Sequence, residues 1–244
     1  MKRVLVITDN EVQYGGIRNV FDEMGSSELV VTYRHSHLKS AIWQHEDFSD
    51  IKCALNVKEN VSWLIESFDL IISVHCKQLF PQRLVESVRC INIHPGYNPI
   101  NRGWYPQVFA IINENKVGAT IHEMDVKLDH GPIIAREFVE QFDYDTSLDV
   151  YKRVCEKEIK LFKDNFSKII NNTYTTYDNI EEGELYLKKD FNALCELDLE
   201  KRVSYKEAIN RLRALTHGTY KNAFFRNQDG KKVFISIAFE LDGE

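Results

Sequence analysis

The fold is decided by residues 91–99, which read Ile91-Asn92-Ile93-His94-Pro95-Gly96-Tyr97-Asn98-Pro99. An apolar run ends there at Asn92 and His94, and residues i and i+2 of a strand point to the same face. Pro95 disfavours the α region at His94, so the histidine is predicted to end a strand. An imidazole beside a carboxamide suits acyl-type chemistry, because it can move a proton while the amide stabilises an oxyanion. An isolated Asn-x-His-Pro motif is nevertheless more often a plain turn with satisfied polar groups.

Apolar runs alternate with helical patterns on the N-terminal side of this stretch. Buried strands are predicted at residues 4–8, 29–33, 53–57, 70–74 and 90–93, and helices at 17–24, 61–68 and 81–88. This alternation predicts an α/β domain with a mainly parallel sheet and flanking helices. Ligands in such sheets bind outside the carboxyl ends of the strands, which is where Asn92 and His94 fall. The pair Gly15-Gly16 lacks the spacing of a dinucleotide-binding fingerprint and is expected to precede the first helix.

Two more strands and a long helix are predicted on the C-terminal side. The strands, at 119–124 and 133–138, enclose a polar loop with two carboxylates, and the helix runs from a cap at residues 145–147 to about residue 171. A polar linker follows. A capping box at Ser204–Glu207 then predicts a helix, and a turn at 227–230 predicts a hairpin. We expect a catalytic domain at 1–180 and a small C-terminal helix-and-hairpin subdomain at 181–244, for substrate or dimer contacts, since so few residues bury little surface alone.

Composition excludes several classes of protein. The 244 residues carry a net charge of −6, which argues against a nucleic-acid partner. Five widely spaced cysteines fit reduced thiols in a cytoplasmic protein. No apolar stretch approaches the ~20 residues of a membrane span, and the first run is too short for a signal peptide. Three histidines that follow the second strand are expected to be solvated in a loop, and no metal site is expected: His35, His37 and His45.

Three motifs in order resemble the formyltransferase family that uses N10-formyltetrahydrofolate. They are Asn92-Ile93-His94-Pro95, Thr120-Ile121-His122 and the loop from Asp125 to Ile133, and the resemblance covers roughly residues 1–170. It implies a Rossmann-like fold and a catalytic triad of Asn92, His94 and Asp129. Asn92 and protonated His94 would stabilise the oxyanion, His94 would accept the proton of the attacking amine, and Asp129 would orient the imidazole.

The same resemblance implies where the substrates bind. N10-formyltetrahydrofolate, the co-substrate, is expected between two segments, Lys77-Gln78-Leu79 and Asp125-Val126-Lys127-Leu128. Lys127 departs from the glycine found in many relatives. Residues 99–107 and 211–224 look like the branch that formylates nucleotide-linked 4-amino sugars, which implies five substrate-binding residues: Arg102, Trp104, Tyr105, Tyr220 and Lys221.

The predicted function is formyl transfer to a 4-amino-4,6-dideoxy sugar, dTDP-linked, in surface-polysaccharide (O-antigen) biosynthesis. A homodimer is compatible with the small core of the tail. Four alternatives stay open: formylation of glycinamide ribonucleotide, formylation of methionyl-tRNA, hydrolysis of formyltetrahydrofolate, and nucleotide binding without catalysis. For the aromatic and basic substrate-binding candidates, the competing interpretation is that they are core anchors and solvated charges.

Overall fold

The computed structural model describes residues 1–38, 51, 54–178 and 182–243. Its helices are α1 (Glu11–Met24), α2 (Val61–Ser67), α3 (Gln82–Ser87), α4 (Pro106–Ile112), α5 (Ser147–Asn171), α6 (Lys188–Cys195) and α7 (Tyr205–Leu215). Its strands are β1 (Lys2–Thr8), β2 (Leu29–Ser36), β3 (Ala54–Leu55), β4 (Leu70–Val74), β5 (Arg89–His94), β6 (Arg102–Gly103), β7 (Val117–Glu123), β8 (Ile133–Val139), β9 (Leu185–Tyr186), β10 (Phe224–Arg226) and β11 (Lys232–Phe234).

A seven-stranded sheet in the order β3-β2-β1-β4-β5-β7-β8 forms the centre of the molecule. Strands β1 to β5 run parallel, and β7 and β8 continue the sheet in antiparallel pairing. The predicted Rossmann-like α/β fold with a mainly parallel sheet is therefore confirmed. The carboxyl ends of β1, β4 and β5 lie side by side, because Thr8 pairs with Val74 and Val74 pairs with Ile93.

Two hydrophobic layers cover the two faces of this sheet. Val4, Ile72 and Ile91 face α1 and α5 in one cluster, whereas Leu5, Ile71 and Cys90 face α2 and α3 in the other. This alternation follows from the period of two in a strand that is buried on both sides. The two faces are called the α5 face and the α3 face below.

The first helix begins earlier than the sequence predicted. Helix α1 starts at Glu11 and contains Gly15 and Gly16, and the Asn10 side chain accepts a hydrogen bond from the Gln13 N–H as its cap. A Cβ atom at Gly16 would lie 2.2 Å from Cδ1 of Ile159 on α5. The glycine is therefore part of a close helix–helix contact rather than a helix break, and the predicted start was wrong.

The histidines after the second strand also differ from the prediction. Strand β2 extends to Ser36, so His35 lies on the strand and is buried, and its expected place in a solvated loop was wrong. His37 is exposed, as expected. His45 lies outside the described residues.

The C-terminal segment packs on the main domain. A third cluster combines residues of α4, such as Phe109, with Phe191 of α6 and Ala214 of α7. The capping box that starts α7 and the hairpin of β10 and β11 are confirmed, whereas α6 and the short pairing of β6 with β9 were not predicted. Within the described part of the chain, no helix has the length and apolarity to cross a membrane.

Candidate active site

Asn92 and His94 lie at the carboxyl end of β5 and project toward the α3 face, the side on which Cys90 also lies. The loop between β7 and β8 brings Asp129 to the same place. Asp129 has a φ of 48°, a left-handed conformation that is uncommon outside glycine and that turns its carboxylate toward β5. The structure thus brings the three predicted triad residues together.

The carboxylate of Asp129 is the centre of the hydrogen-bond network. Its Oδ1 accepts a 3.0 Å bond from Nδ2 of Asn92, and its Oδ2 accepts a 3.0 Å bond from the N–H of Gly103. The Asp129 carbonyl accepts a further bond from the side chain of Asn98. The position of the carboxylate is thus fixed by two separate segments of the chain.

His94 is buried, and its two nitrogens have different partners. Nε2 lies 2.8 Å from the carbonyl oxygen of Asn101 and must donate its hydrogen there, since a carbonyl only accepts. In the neutral imidazole the lone pair is therefore on Nδ1, which lies 3.6 Å from Oδ2 of Asp129. A proton taken up on Nδ1 would face the carboxylate, so this histidine is arranged to act as a base.

His122 is a site residue that the sequence placed in a motif without assigning it a role. Its Nδ1 donates to the carbonyl of Glu123 at 2.7 Å, and its Nε2 lies 3.3 Å from Nδ2 of Asn92 and 3.8 Å from Oδ1 of Asp129. Burial lowers the pKa of His122 below its usual value, against the opposing effect of Asp129. A neutral His122 can accept an N–H of Asn92, so it orients that amide.

Arg102, a predicted substrate-binding residue, is buried and bound to backbone carbonyls. The residue is 5% exposed, and its guanidinium donates three hydrogen bonds, two to the carbonyl of Leu128 and one to the carbonyl of Glu182. The interpretation of Arg102 as a substrate-binding cation is therefore not supported by this structure. The guanidinium instead satisfies part-buried carbonyl groups of two other segments, so Arg102 is not the solvated charge of the competing interpretation either.

The first predicted folate segment, residues 77–79, is held in place by hydrogen bonds between side chains and backbone groups. The N–H of Lys77 donates to Asp9, and the Gln78 side chain bonds backbone groups of Leu55 and Val57, so the Gln78 side chain braces the loop. The side chain of Lys77 is exposed, and Leu79 is 74% exposed.

Both predicted folate segments border the hydrophobic cluster on the α3 face. Phe80, which follows the first segment, and Met124, which precedes the second, both pack in that cluster. Asp125 accepts bonds from the N–H of Lys127 and from His130, and Val126 is 61% exposed. In this loop Asp129 has a positive φ and Lys127 does not. A lysine at the position where many relatives have glycine therefore needs no left-handed backbone conformation. Leu128 supplies the carbonyl that Arg102 holds.

The remaining substrate-binding candidates divide between packed and exposed side chains. Tyr105 stacks on Phe191 with ring centroids 4.0 Å apart, and Trp104 lies beside it. Tyr220 is 72% exposed and Lys221 is exposed as well, so both are accessible to a ligand.

A second polar cluster at the same sheet edge was missed by sequence reasoning. Nε2 of His75 lies 3.0 and 2.8 Å from the two carboxylate oxygens of Glu158, and Asn10 and Tyr151 lie within 3.2 Å of its Nδ1. Burial raises the pKa of Glu158, and His75 opposes this effect. With Cys155, these side chains could in principle hold a metal ion. The hydrogen-bond geometry instead has His75 donating from Nε2, and burial raises the pKa of the Cys155 thiol to about 12, both of which disfavour ligation.

A Rossmann-like sheet with an Asn–His–Asp set at its carboxyl edge is what the motif resemblance implied for a formyl-transfer enzyme, and comparison with known proteins gives the family. The formyl transferase family profile matches residues 37–165, and that of the N-formyltransferase dimerization C-terminal domain matches residues 190–241. The chain therefore belongs to the formyltransferase family and is an N-formyltransferase. The predicted membership of the formyltransferase family is confirmed.

Individual relatives are similar along most of the chain. A dTDP-4-amino-4,6-dideoxyglucose formyltransferase of Mycobacterium tuberculosis is 48% identical over 185 residues, which cover 76% of this chain and 79% of that protein. The crystal structure of a 4-N formyltransferase from Francisella tularensis has a TM-score of 0.93 at 43% identity and 98% coverage of both chains. A sugar N-formyltransferase from a Shewanella species has a TM-score of 0.93 at 38% identity and 99% coverage of both chains.

Proposed function

We propose that this enzyme transfers the formyl group of N10-formyltetrahydrofolate to the 4-amino group of a dTDP-linked 4-amino-4,6-dideoxyhexose. The observation that carries the proposal is the convergence of Asn92, His94 and Asp129 at the carboxyl edge of the sheet. Similarity to an enzyme named for dTDP-4-amino-4,6-dideoxyglucose supports this choice of acceptor.

In the proposed reaction His94 is the base. Its Nδ1 lone pair takes the proton that the amine loses on attack, directly or through a water molecule, while Nε2 stays bound to the carbonyl of Asn101. The imidazolium then faces Asp129, whose negative charge stabilises it. When the intermediate collapses, the bond between the formyl carbon and N10 breaks, and the proton held by His94 passes to N10 of the departing tetrahydrofolate. The positive charge of protonated His94 would also favour the negative charge that develops on the formyl oxygen.

Asn92 has to exchange one hydrogen bond to stabilise the oxyanion. Its two N–H groups are directed at Asp129 and at His122, and the contact to His122 is the longer one at 3.3 Å. We infer that the donor's carbonyl oxygen replaces this longer contact. The bond to Asp129 would then hold the amide in place during the reaction.

The segments 77–79 and 125–128 fit a ligand with a flat apolar part and a charged tail. Exposed Leu79 and Val126 offer apolar surface on both segments, and the neighbouring Lys77 side chain can reach a carboxylate of the glutamate tail. The ligand's ring edges would meet backbone groups of these loops, since the polar side chains of Gln78 and Asp125 are engaged within the protein.

We extend the proposal to a dimer, a cytoplasmic location and a role in surface-polysaccharide biosynthesis. The C-terminal segment leaves several large apolar side chains exposed, which is the surface that a second copy would cover: Val233, Phe234, Phe239 and Leu241. The match of residues 190–241 to a dimerization domain supports this assignment. Phe234→Asp is expected to shift a dimer to monomers in light-scattering measurements, and an unchanged mass would contradict it.

The experiment that tests the activity is a panel assay with the full chain and N10-formyltetrahydrofolate. The acceptors are dTDP-4-amino-4,6-dideoxyglucose, its C4 epimer, GDP-perosamine, glycinamide ribonucleotide, methionyl-tRNA and none. We expect formylation of a dTDP-linked sugar at a rate well above the others. Transfer only to glycinamide ribonucleotide or methionyl-tRNA, or release of formate without an acceptor, would overturn the proposal.

A further inference from the structure

The cluster of Asn10, His75, Tyr151 and Glu158 lies on the opposite side of the reaction centre from the proposed folate segments. His75 follows β4 directly, and the pairing of Val74 with Ile93 places it next to His94 along the sheet edge. The triad projects to the α3 face, whereas Tyr151 and Glu158 belong to α5 on the other face. An amine that meets a formyl group held on the α3 face would therefore approach from this cluster.

The hydrogen-bond directions in the cluster can be assigned from its geometry. Oδ1 of Asn10 accepts the helix-capping bond from Gln13, so Nδ2 must point toward Tyr151 and His75. Nε2 of His75 donates to the carboxylate of Glu158, which also accepts a bond from the Gln13 side chain. The lone pair of His75 is therefore on Nδ1.

This arrangement leaves the Tyr151 O–H with only a shared and a weak acceptor inside the protein. One N–H of Asn10 is accepted by the Tyr151 oxygen at 2.6 Å, and its other N–H and the Tyr151 O–H both compete for Nδ1 of His75, each at 3.2 Å. A single lone pair accepts only one of them. The sulphur of Cys155, a weak acceptor, is the other neighbour of the Tyr151 hydroxyl. Burial raises the pKa of Tyr151, so its proton stays on.

The chemistry of the cluster favours a neutral hydroxyl over a phosphate as the missing acceptor. Asn10 and Tyr151 are uncharged, and the buried acidic side chain of Glu158 lies behind them. A negative charge on Glu158, directly behind these groups, would repel a diphosphate bound to them. No hydrogen bond or ion pair of the described residues brings a Lys or Arg into the cluster to offset that charge. His75 keeps a side-chain exposure of 10%, so the cluster reaches the surface.

We propose that Tyr151, together with Asn10 and His75, binds a ring hydroxyl of the acceptor sugar, and that Glu158 is a positioning residue that fixes the tautomer of His75. This inference rests on the proposed function. Tyr151 also contacts His217 edge-on at 5.4 Å, and His217 contacts exposed Tyr220 at 5.8 Å. A line of side chains therefore leads from the proposed sugar subsite toward Tyr220, a residue predicted to bind the substrate.

The test compares Tyr151→Phe with the matched variant Tyr174→Phe in the full chain. Each substitution removes one phenol hydroxyl, and the Tyr174 hydroxyl bonds Glu123 away from the cluster. Tyr151→Phe is expected to raise KM for the dTDP-linked amino sugar about ten-fold, the effect of one good hydrogen bond, and to leave KM for N10-formyltetrahydrofolate unchanged. Tyr174→Phe should alter neither constant.

Binding of dTDP alone, measured by calorimetry, separates the sugar from the nucleotide. Its affinity should be the same in wild type and Tyr151→Phe, and an equal loss for dTDP and the sugar nucleotide would overturn the inference. Glu158→Gln and His75→Asn should raise the same KM selectively; asparagine tolerates the left-handed φ of 51° at this position. An active wild type with unchanged KM in Tyr151→Phe rejects this inference alone, whereas a wild type inactive on every dTDP-linked amino sugar rejects the proposed function.

Discussion

Two histidine–carboxylate pairs stand at the ends of neighbouring strands, and they are built differently. His94 and Asp129 are 3.6 Å apart, and both carboxylate oxygens of Asp129 also accept N–H groups from elsewhere. His75 and Glu158 are 2.8 Å apart, and Glu158 is fully buried on a helix. The looser pair leaves Nδ1 of His94 able to gain a proton, whereas the tighter pair commits Nε2 of His75 as a donor. Under the proposed function, the same two residue types would serve proton transfer in one place and orientation in the other.

The largest expected effect is the loss of turnover when the looser pair is broken. His94→Gln should lower kcat by about 10²–10⁴-fold, because a base at this position moves a proton in the transition state. Formyl transfer to the dTDP-linked amino sugar is the measurement, and an unchanged melting temperature shows that the fold is kept. Undiminished turnover would remove His94 from the mechanism and collapse the distinction between the pairs.

Breaking the tighter pair is expected to affect stability first. Glu158→Ala leaves His75 and the Gln13 amide without their buried partner, which should cost about 3–5 kcal/mol of unfolding free energy in urea denaturation. The matched control is Glu137→Ala, which removes a partly exposed partner of Lys157 and should cost less than about 1 kcal/mol. Equal losses would show that the buried pair is no more than a surface ion pair.

Helix α5, which carries Glu158 of the tighter pair, packs closely on α1, and this helix–helix contact can be tested at two adjacent glycines of α1. Gly16→Ala forces a methyl group against Ile159 and is expected to destabilise by about 1–3 kcal/mol. Gly15 has no atom within 4 Å of a built Cβ, so Gly15→Ala should instead stabilise the helix by about 0.5–1 kcal/mol. Thermal unfolding of the two variants is the measurement, and a shift of the same sign in both would contradict this account of Gly16.

The smallest effect concerns the pH dependence that His122 adds beside the looser pair. Burial lowers the pKa of His122 in the folded protein. Below about pH 6.5, the usual pKa of histidine, His122 of the unfolded chain therefore binds a proton that the folded protein does not, so stability decreases as the pH is lowered. Between pH 6.5 and 5 the decline should be shallower in His122→Asn, by at most about 1.4 kcal/mol per pH unit. Urea midpoints at pH 7.5 and 5.5 measure it. Glu158 and His217 titrate in both proteins, so parallel declines would show that His122 is not held neutral.

The looser pair was largely predictable because its parts are local in the sequence. Asn92 and His94 follow from strand period and Pro95, whereas Asp129 was implied by the resemblance of the 125–133 loop to the formyltransferase family. The tighter pair was not predictable, since the contact of His75 with Glu158 depends on how α5 is rotated against the sheet. The buried position of Arg102 was not predictable, because its acceptors, the carbonyls of Leu128 and Glu182, lie 26 and 80 positions away in the sequence. The start of α1 was predicted wrongly because the residue that Gly16 packs against, Ile159, is 143 positions away in the sequence.

The short parallel pairing of β6 with β9 limits how this enzyme can be recombined with its relatives. Gly103 donates to Asp129 while it pairs with Tyr186, and Gly183 lies so close to Pro99 that a Cβ would be 1.9 Å from the Pro99 carbonyl oxygen. Residues 182–186 therefore pack against residues 99–103 of the first domain, although they follow the predicted domain boundary at residue 180. A chimaera that exchanges C-terminal segments should keep these five residues with the first domain and join the new segment after Tyr186.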